Sequence, residues 1–211
     1  MINGRQTDCL PVTDRGLFYG DGVFETIAVE EGRPRYWSRH LARLHSGCKR
    51  LGIPAPDQSQ LAAEAEGLVK DLEQGVLKLI VTRGSGGRGY RVPDVVKPLR
   101  MLQIYPWPAY AQECSGTGVA ARLCDTQLGN NPALAGIKHL NRLEQVLARN
   151  EWSDTGIMEG LMTDTEDNLI EGTMSNLFLV RDRQIHTPDL SLCGIAGVMR
   201  SVVLELAAGT G

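Results

Sequence analysis

The stretch EGTMSNLFLVRDRQIHTPDLSLCGIAGVMR, residues 171–200, contains a candidate hairpin and the start of a candidate helix. Its part NLFLVRDRQIHTP indicates two short strands around a polar turn, and GIAGVMR opens a helical pattern that continues through SVVLELA. Just upstream, LMTDTEDNLIEG has the pattern of another hairpin. Hairpins beside helices predict an α+β fold rather than a doubly wound parallel sheet.

The first half of the chain mixes strand and helix patterns in the same way. Asn3–Gly4 marks a hairpin turn, and a strand ends in a turn at Gly32. Ser38 is placed to cap a helix that runs to about Leu51. The other predicted elements are a helix over 59–73, the strands VLKLIVTRG, LRMLQIYP and GVAARLCDT, and a helix that Asn141 and Glu144 begin as a capping box.

The segment YPWPAYAQECSGTG, residues 105–118, is rich in Pro, Gly and Ser and shows no periodicity. Such a composition is typical of a link between domains. We therefore expect a small α+β domain over residues 1–104, an interdomain linker over 105–118, and a larger β-rich domain over 119–211.

Composition excludes several classes of function. The 211 residues carry a net charge of −3 without any basic block, so nucleic acid is not an expected partner. The most apolar stretch, VLKLIV, is too short to cross a bilayer, and the first residues contain no secretory signal. The scattered cysteines form no CxxC pair, and the histidines show no ligand spacing, so neither disulfides nor a metal is expected. These features favour a cytoplasmic protein that does not bind a membrane.

Lys138 lies just ahead of a predicted helix in LAGIKHLNRLEQ, with apolar residues on both sides. The helix dipole and desolvation would both favour the neutral amine over the ammonium form. A neutral amine attacks carbonyl groups, so Lys138 is a candidate for covalent catalysis. Lysines near helix starts are more often simply solvated, and the residues alone leave both interpretations open.

The run GSGGRG, residues 84–89, fits the GxGxxG pattern of dinucleotide-binding loops and follows a strand. That motif requires a helix directly behind it, whereas Pro93 follows here within a few residues, so we reject a dinucleotide site. Two interpretations remain. One is a flexible surface loop, and the other is a mobile loop that offers Arg83, Arg88 or Arg91 to an anionic substrate.

The stretch 171–200 resembles the signature of the class-IV aminotransferase-like, fold-type IV pyridoxal phosphate enzymes. The matching positions are Glu171, Asn176, Phe178, Thr187, the GIAG run at 194–197 and Arg200. HLARL, residues 40–44, resembles the family's helix that carries a phosphate-binding arginine, and the resemblance extends from about Ile2 to Ala208. It implies a two-domain, D-amino acid aminotransferase-like fold, with the cofactor in the interdomain cleft, in a homodimer.

The resemblance also implies roles for single residues, two of which have ordinary surface patterns. Arg43 falls on the polar face of its helix and Glu171 falls in a turn, where both would normally be solvated. By resemblance, Lys138 holds pyridoxal 5'-phosphate, Arg43 binds its phosphate, and Glu171 faces its pyridine nitrogen. The remaining cofactor-binding groups are Asn176 and the backbone N–H groups of Ile195 and Ala196, where the last helix is expected to open.

GIKHLNRLEQVLAR and RGSGGRGY resemble the lyases of this family more closely than its aminotransferases. The implied small-molecule substrate is a dicarboxylate, for which we expect Arg88 as ligand, with Arg83 and Arg91 as alternatives. Aminotransferases for D-amino or branched-chain amino acids would use the same lysine and are the nearest alternative function. Family members usually continue beyond this sequence, so we expect the larger domain to be incomplete at its C-terminus. A truncated, non-catalytic chain is the second alternative.

Overall fold

Two units make up the chain in the computed structural model, which describes residues 1–108 and 114–209. The first unit consists of Met1–Pro108 and Lys138–Asn141, and the second of Ala109–Ile137 and Arg142–Gly211. Residues 109–113 of the predicted linker lie outside the described residues. The sequence did not predict that the four residues from Lys138 onward group with the first unit.

The first unit contains a four-stranded antiparallel sheet and three helices. Its elements in chain order are α1 (Arg15–Tyr19), β1 (Gly22–Glu30), β2 (Arg33–Pro34), α2 (Trp37–Leu51), α3 (Gln58–Val69), β3 (Gln74–Thr82) and β4 (Leu99–Tyr105). The sheet order is β2-β1-β3-β4. β1 and β3 pair along their whole length, from Gly22 opposite Thr82 to Glu30 opposite Gln74, so this ladder is the centre of the unit.

Side chains of β1 alternate between a buried face and a more exposed face, as the two-residue repeat of a strand requires. The buried row is Val23, Glu25, Ile27 and Val29. This row contacts α2, which buries His40, Leu41, Leu44, Gly47 and Cys48. A carboxylate, Glu25, therefore occupies one position of an otherwise apolar row.

The starts of α2 and α3 differ from each other in their capping. The prediction that Ser38 caps α2 is wrong, because the helix begins at Trp37 and Ser38 already lies inside its first turn. The N-cap is Tyr36 in the left-handed conformation (φ 53°), which forms no side-chain cap bond. In α3 the cap is Asp57, whose carboxylate accepts a hydrogen bond from the N–H of Gln60 at 2.9 Å.

Helix α3, which was predicted over residues 59–73, is shorter than that span. It ends at Val69, because the chain then turns to reach β3. In that turn the carbonyls of Leu72 and Glu73 accept hydrogen bonds from the N–H groups of Gly32 and Glu31. Tertiary pairing with the β1–β2 turn therefore overrides helix propensity at these positions.

In its described residues, 114–137 and 142–209, the second unit contains two small sheets and three helices. Its elements are α4 (Cys114–Thr117), β5 (Ala120–Leu123), α5 (Leu143–Arg149), β6 (Ile157–Thr163), β7 (Leu169–Gly172), β8 (Leu179–Arg181), β9 (Gln184–His186) and α6 (Val198–Ala208). β6 pairs in parallel with β5 and antiparallel with β7, and β8 and β9 form a separate antiparallel hairpin. Both predicted hairpins are confirmed. The buried core of this unit consists of Cys124, Leu128, Ala148, Trp152, Met162, Ile170 and Cys193.

The predicted capping box of α5 is wrong. The helix begins at Leu143, and its N-cap, Arg142, forms no side-chain cap bond. The amide of Asn141 instead donates to the carbonyl of Gly20 at 3.2 Å, and the carboxylate of Glu144 accepts from the N–H of Gly129 at 2.9 Å. The side chains of Asn141 and Glu144 thus bind backbone groups that are distant in the sequence, and they do not cap α5.

Among the described residues, none of the helices has the length and apolar character that crossing a bilayer requires.

The different caps of α2 and α3 predict different responses to loss of a polar side chain. We expect Asp57→Ala to lower the midpoint of thermal unfolding by about 2–4 °C, because it removes the acceptor for the Gln60 N–H. Ser38→Ala, the matched control, should leave the midpoint within about 1 °C, because Ser38 does not cap its helix. Calorimetry of the two variants checks this, and an equal fall in both would contradict the assigned caps.

Candidate active site

Lys138 lies beside the start of β1 in the first unit. Its carbonyl accepts a hydrogen bond from the N–H of Phe24 at 2.9 Å, and the N–H of Leu140 donates to the carbonyl of Gly22 at 3.0 Å. The Lys138 amine lies 4.5 Å from the centroid of the Phe24 ring. The segment after Lys138 is therefore tied to the sheet through its backbone, and the amine rests on an aromatic face.

A second amine approaches the same ring. Lys78 projects from β3, and its Nζ lies 5.5 Å from the centroid of Phe24. The helix expected just behind Lys138 begins only at Leu143. The dipole of this short helix acts within its first turn, so it does not distinguish Lys138 from Lys78. What distinguishes the two lysines is the sequence signature around Lys138.

Arg43 is held by Glu25 rather than solvated. Its Nε donates to one carboxylate oxygen at 2.8 Å, and its Nη2 donates to the other at 2.5 Å. The Nδ1 of His40 lies 2.7 Å from that second oxygen. Only 1% of the Glu25 side chain and 15% of the Arg43 side chain are exposed. The surface interpretation of Arg43 is therefore wrong, because a buried carboxylate draws the guanidinium against the sheet.

The charge of Glu25 is stabilised by its neighbours. Burial raises the pKa of this carboxyl, but the hydrogen bonds and positive charges of Arg43 and His40 outweigh burial and lower the pKa below its ordinary value of 4.5. Glu25 therefore stays ionised at neutral pH. Its fixed charge holds the guanidinium plane of Arg43 in one orientation.

Glu25 and His40 were not predicted from the sequence as site residues. A signal for Glu25 was present, because the alternating pattern of GVFETIAVE places this glutamate between Val23 and Ile27 on the buried face. A buried carboxylate requires a cationic or hydrogen-bonding partner. His40 lies one helical turn before Arg43, and spacing alone marks both residues as candidates for that partner.

In the second unit, Glu171 lies beside the turn at 194–197. This carboxylate is buried, with 3% exposure, and its Oε2 accepts a hydrogen bond from the N–H of Ile195 at 2.8 Å. Asn176 pairs with Glu171 through a backbone bridge, and its side-chain amide donates to the carbonyl of Ile195 at 2.9 Å. The prediction of a solvated Glu171 in a turn is therefore wrong, because this residue lies in β7 and its carboxylate is buried and bound by a backbone N–H.

Glycines allow this close approach. Gly194 has a φ of +79°, a conformation that side chains disfavour. A Cβ at Gly197 would overlap the Oδ1 of Asn176. The glycine-rich turn therefore brings backbone N–H groups, a buried carboxylate and a side-chain amide within hydrogen-bond distance of one another.

The two backbone N–H groups expected to bind phosphate already have protein partners. The N–H of Ile195 donates to Glu171, and that of Ala196 donates to the carbonyl of Gly136 at 3.2 Å. The expectation that these residues open the last helix is wrong, because α6 begins at Val198 with Gly197 as its N-cap. Binding a phosphate at these N–H groups therefore requires an exchange of hydrogen bonds.

The other signature residues stabilise turns of the second unit. The hydroxyl of Thr187 donates to the carbonyl of Leu177 at 2.8 Å and accepts from the Nε of Arg200 at 3.2 Å. Arg200 also donates to the carbonyl of Pro188 at 3.0 Å. These contacts connect α6 to the chain around the β8–β9 hairpin, so the signature encodes local structure as well as ligand contacts.

The three arginines near the glycine run have different surroundings. Arg83 is buried, and its guanidinium donates to both carboxylate oxygens of Asp21 and to the carbonyls of Leu51 and Gly52. It is therefore unsuited to bind substrate. Arg91 is exposed and pairs with Asp94, whereas Arg88 is exposed near the end of the run.

The groups in the two units suit the chemistry of pyridoxal phosphate. Lys138 offers an amine for a carbonyl, and Arg43 offers a guanidinium for a phosphate. Glu171 offers a buried carboxylate for a ring nitrogen that carries a proton. The donor set therefore fits the cofactor that the sequence signature implies.

Comparison with known proteins gives consistent matches. The family described as amino-transferase class IV matches residues 22–211. An aminodeoxychorismate lyase of Vibrio harveyi is 38% identical over 211 residues, which are 100% of this chain and 78% of that protein. A putative branched-chain-amino-acid aminotransferase of Methanocaldococcus jannaschii is 32% identical over 219 residues, covering 100% of this chain and 75% of the relative.

A solved structure is also similar over the whole chain. The crystal structure of 4-amino-4-deoxychorismate lyase from Pseudomonas aeruginosa superposes with a TM-score of 0.96 at 53% sequence identity. The match covers 100% of this chain and 78% of that one. The α+β fold described above is therefore the fold of that structure.

The lowered pKa of Glu25 predicts a pH-dependent stability. A carboxyl whose pKa is lowered on folding contributes stability that is present above its ordinary pKa of 4.5 and is lost as pH falls through the folded-state pKa. We expect Glu25→Gln to lower the free energy of unfolding most near neutral pH. Its difference from the unmodified protein should shrink as pH falls below 4.5.

Denaturant unfolding at several pH values measures this difference. Glu73→Gln, at an exposed carboxyl of the same unit, is the control, and it should change stability little at any of these pH values. A Glu25→Gln difference that is independent of pH would contradict the ion pair with Arg43.

Proposed function

The chain belongs to the amino-transferase class IV family, and from this premise we propose that it is a pyridoxal phosphate-dependent lyase. The proposed reaction converts 4-amino-4-deoxychorismate to 4-aminobenzoate and pyruvate. The observation that carries this assignment is the similarity, along the whole chain, to the Pseudomonas aeruginosa lyase at more than half of all positions. The Vibrio harveyi lyase supports it independently at the sequence level.

Lys138 is the proposed catalytic residue. When bound, pyridoxal phosphate supplies a ring that accepts the electron pair left by breaking a C–H bond. The Lys138 amine removes the proton from the substrate carbon that bears the amino group. In the substrate, the bond between its ring carbon and the enolpyruvyl ether oxygen then breaks. The lysine returns the proton to the methylene carbon of the departing enolpyruvate. General acid–base catalysis of this kind contributes roughly a hundred- to ten-thousandfold in rate.

The other proposed contacts bind and orient the cofactor and the substrate. Arg43, fixed by Glu25, binds the phosphate as a charge with a defined plane. Glu171 keeps the proton on the ring nitrogen, supported by its buried setting and by Asn176 beside it. Ile195 and Ala196 contribute backbone N–H groups after their present hydrogen bonds are exchanged. Arg88, exposed on its loop, binds a substrate carboxylate.

Three features of the biological setting belong to the same proposal. We propose that the enzyme acts as a homodimer in the cytoplasm and supplies 4-aminobenzoate for folate synthesis. The scattered cysteines, without paired spacing, support a reducing compartment. The homodimer and the pathway rest on the family resemblance alone.

An aminotransferase of the same fold is the second candidate. It is favoured by the similarity to the Methanocaldococcus jannaschii relative, which at 32% identity also spans the whole chain. Both reactions need the same lysine, so the lysine does not decide between them. The decision rests on where the substrate nitrogen goes. It leaves with 4-aminobenzoate in the lyase and stays on the cofactor in an aminotransferase.

The proximity of two lysines to Phe24 makes the attachment site a sharp test. We expect borohydride reduction followed by peptide mapping to find the cofactor on Lys138, and Lys138→Ala to abolish both attachment and turnover. Lys78→Ala is the matched control, since its amine lies near the same ring, and it should retain covalent attachment. Cofactor mapped to Lys78 in the unmodified protein would contradict the assignment.

The fate of the nitrogen separates the two candidate functions. The lyase should release one pyruvate for each 4-aminobenzoate over many turnovers, without any added keto acid. Exchange with D-alanine or L-leucine in the presence of 2-oxoglutarate should be slow. Sustained transamination of either amino acid, with no pyruvate released from 4-amino-4-deoxychorismate, would contradict the lyase function and favour the aminotransferase function. The proposed cofactor site would be the same in both cases.

A further inference from the structure

The glycine loop, residues 84–91, is fastened to the first unit by one buried arginine. Arg15, the first residue of α1, is only 3% exposed. Its Nη1 donates to the carbonyl of Gly89 at 3.0 Å, and its Nη2 donates to the carbonyl of Tyr90 at 3.2 Å. Its Nε donates to Asp21 at 2.9 Å. The planar fork of a guanidinium can thus hold a carboxylate and two loop carbonyls at once.

Tyr19 completes this anchor. The guanidinium carbon of Arg15 lies 4.8 Å from the centroid of the Tyr19 ring. The hydroxyl of Tyr19 accepts a hydrogen bond from the N–H of Gly89 at 3.0 Å, and its ring contacts that of Tyr90 with centroids 5.4 Å apart. Both backbone polar groups of Gly89 are therefore bound by residues of α1.

The beginning of the loop is fixed as well. The N–H of Arg15 donates to the carbonyl of Gly84 at 2.9 Å, and the N–H of Gly86 donates to the carbonyl of Thr13 at 3.1 Å. A Cβ at Gly86 would lie 2.8 Å from the Cδ of Arg15, so the glycine makes room for the arginine stem. The loop is thus held at both ends, and the two sequence-based interpretations as a flexible or mobile loop are wrong for these positions.

Among the exposed residues of the loop is Arg88, the proposed substrate ligand. It directly precedes Gly89, whose backbone is bound on both sides, and its own side chain faces solvent. A binding group on a fixed backbone loses less conformational freedom when it binds a ligand than one on a mobile loop. The anchor would therefore raise the affinity of Arg88 for an anion without touching that anion.

We propose that Arg15 is a positioning residue for the substrate, because it holds the glycine loop so that Arg88 meets a carboxylate. This inference rests on the proposed function, in which Arg88 binds a carboxylate of 4-amino-4-deoxychorismate. The inference adds Arg15, which contacts only protein, to the residues that determine substrate binding. The ion pair of Arg15 with Asp21 then serves substrate binding as well as stability.

A double-mutant cycle tests the inference on the protein loaded with its cofactor. The probe is chorismate, which carries two carboxylates and has a hydroxyl in place of the amino group, so that binding is measured without turnover. We expect Arg15→Lys, which keeps the charge but loses the fork, to raise the dissociation constant about tenfold. Arg88→Ala should raise it at least as much. In the Arg88→Ala background, Arg15→Lys should have almost no further effect, because it acts through Arg88.

Arg100→Lys is the matched control. Arg100 pairs with Glu64 in the same unit, with 15% and 12% of the two side chains exposed, and it does not contact the loop in any described bond. It should lower thermal stability as Arg15→Lys does, yet leave chorismate affinity unchanged. Hydrogen exchange at the Gly89 N–H should quicken in Arg15→Lys only, which a general loss of stability would not reproduce.

Each outcome decides the inference. An unchanged chorismate affinity in Arg15→Lys would overturn the positioning role. So would a double variant whose dissociation constant rises by the product of the two single effects. Loss of affinity in Arg100→Lys equal to that in Arg15→Lys would reduce the role to stability. If Arg88→Ala leaves affinity unchanged, both the Arg88 assignment and this inference fail. If the cycle behaves as expected but no pyruvate is ever released, the lyase assignment fails and the positioning role stands.

Discussion

The alternation of side chains along β1 is the constraint on which the candidate site of the first unit depends. Consecutive residues of a strand point to opposite faces, so Phe24 and Glu25 face different partners. Phe24 provides the ring on which Lys138 rests, and Glu25 reaches the helix that carries Arg43. A shift of one residue in the pairing of β1 with β3 would exchange these faces and separate both contacts.

A buried carboxylate, Glu25, and a partly buried one, Asp21, organise arginines of this unit. Glu25 binds Arg43 together with His40, and Asp21 binds Arg15 together with Arg83. Burial raises the pKa of Asp21, but hydrogen bonds from the two arginines, with their charges, lower it overall. An isolated buried charge would be strongly destabilising, whereas a carboxylate that is hydrogen-bonded to two neighbouring side chains is satisfied and fixes both. The same device thus serves a proposed phosphate ligand and a proposed substrate loop.

The second unit uses a carboxylate in a different way. Glu171 accepts a hydrogen bond from a backbone N–H of the glycine-rich turn, that of Ile195. Its environment still contains a cation, since burial lowers the pKa of Arg142 while the charges of Glu171 and Glu144 oppose that change. A turn without side chains at its closest points allows this carboxylate to lie among backbone groups.

The sequence by itself determined the local elements and the family. The hairpins of the second unit followed from strand alternation, the extent of α2 from helical spacing, and the family from a signature with fixed spacing at residues 171–200. These are properties of residues close together in the chain. Only the tertiary structure decided which charges are buried and what they bind. Glu25 meets Arg43 across 18 positions, and Arg15 meets the glycine loop across more than 70. The sequence left Arg83 as an alternative to Arg88. In the fold, the Arg83 guanidinium is hydrogen-bonded to Asp21, because β3 ends next to the start of β1. A helical wheel or a loop composition contains no information on such partners, since sheet pairing and helix packing bring them together only in the folded chain.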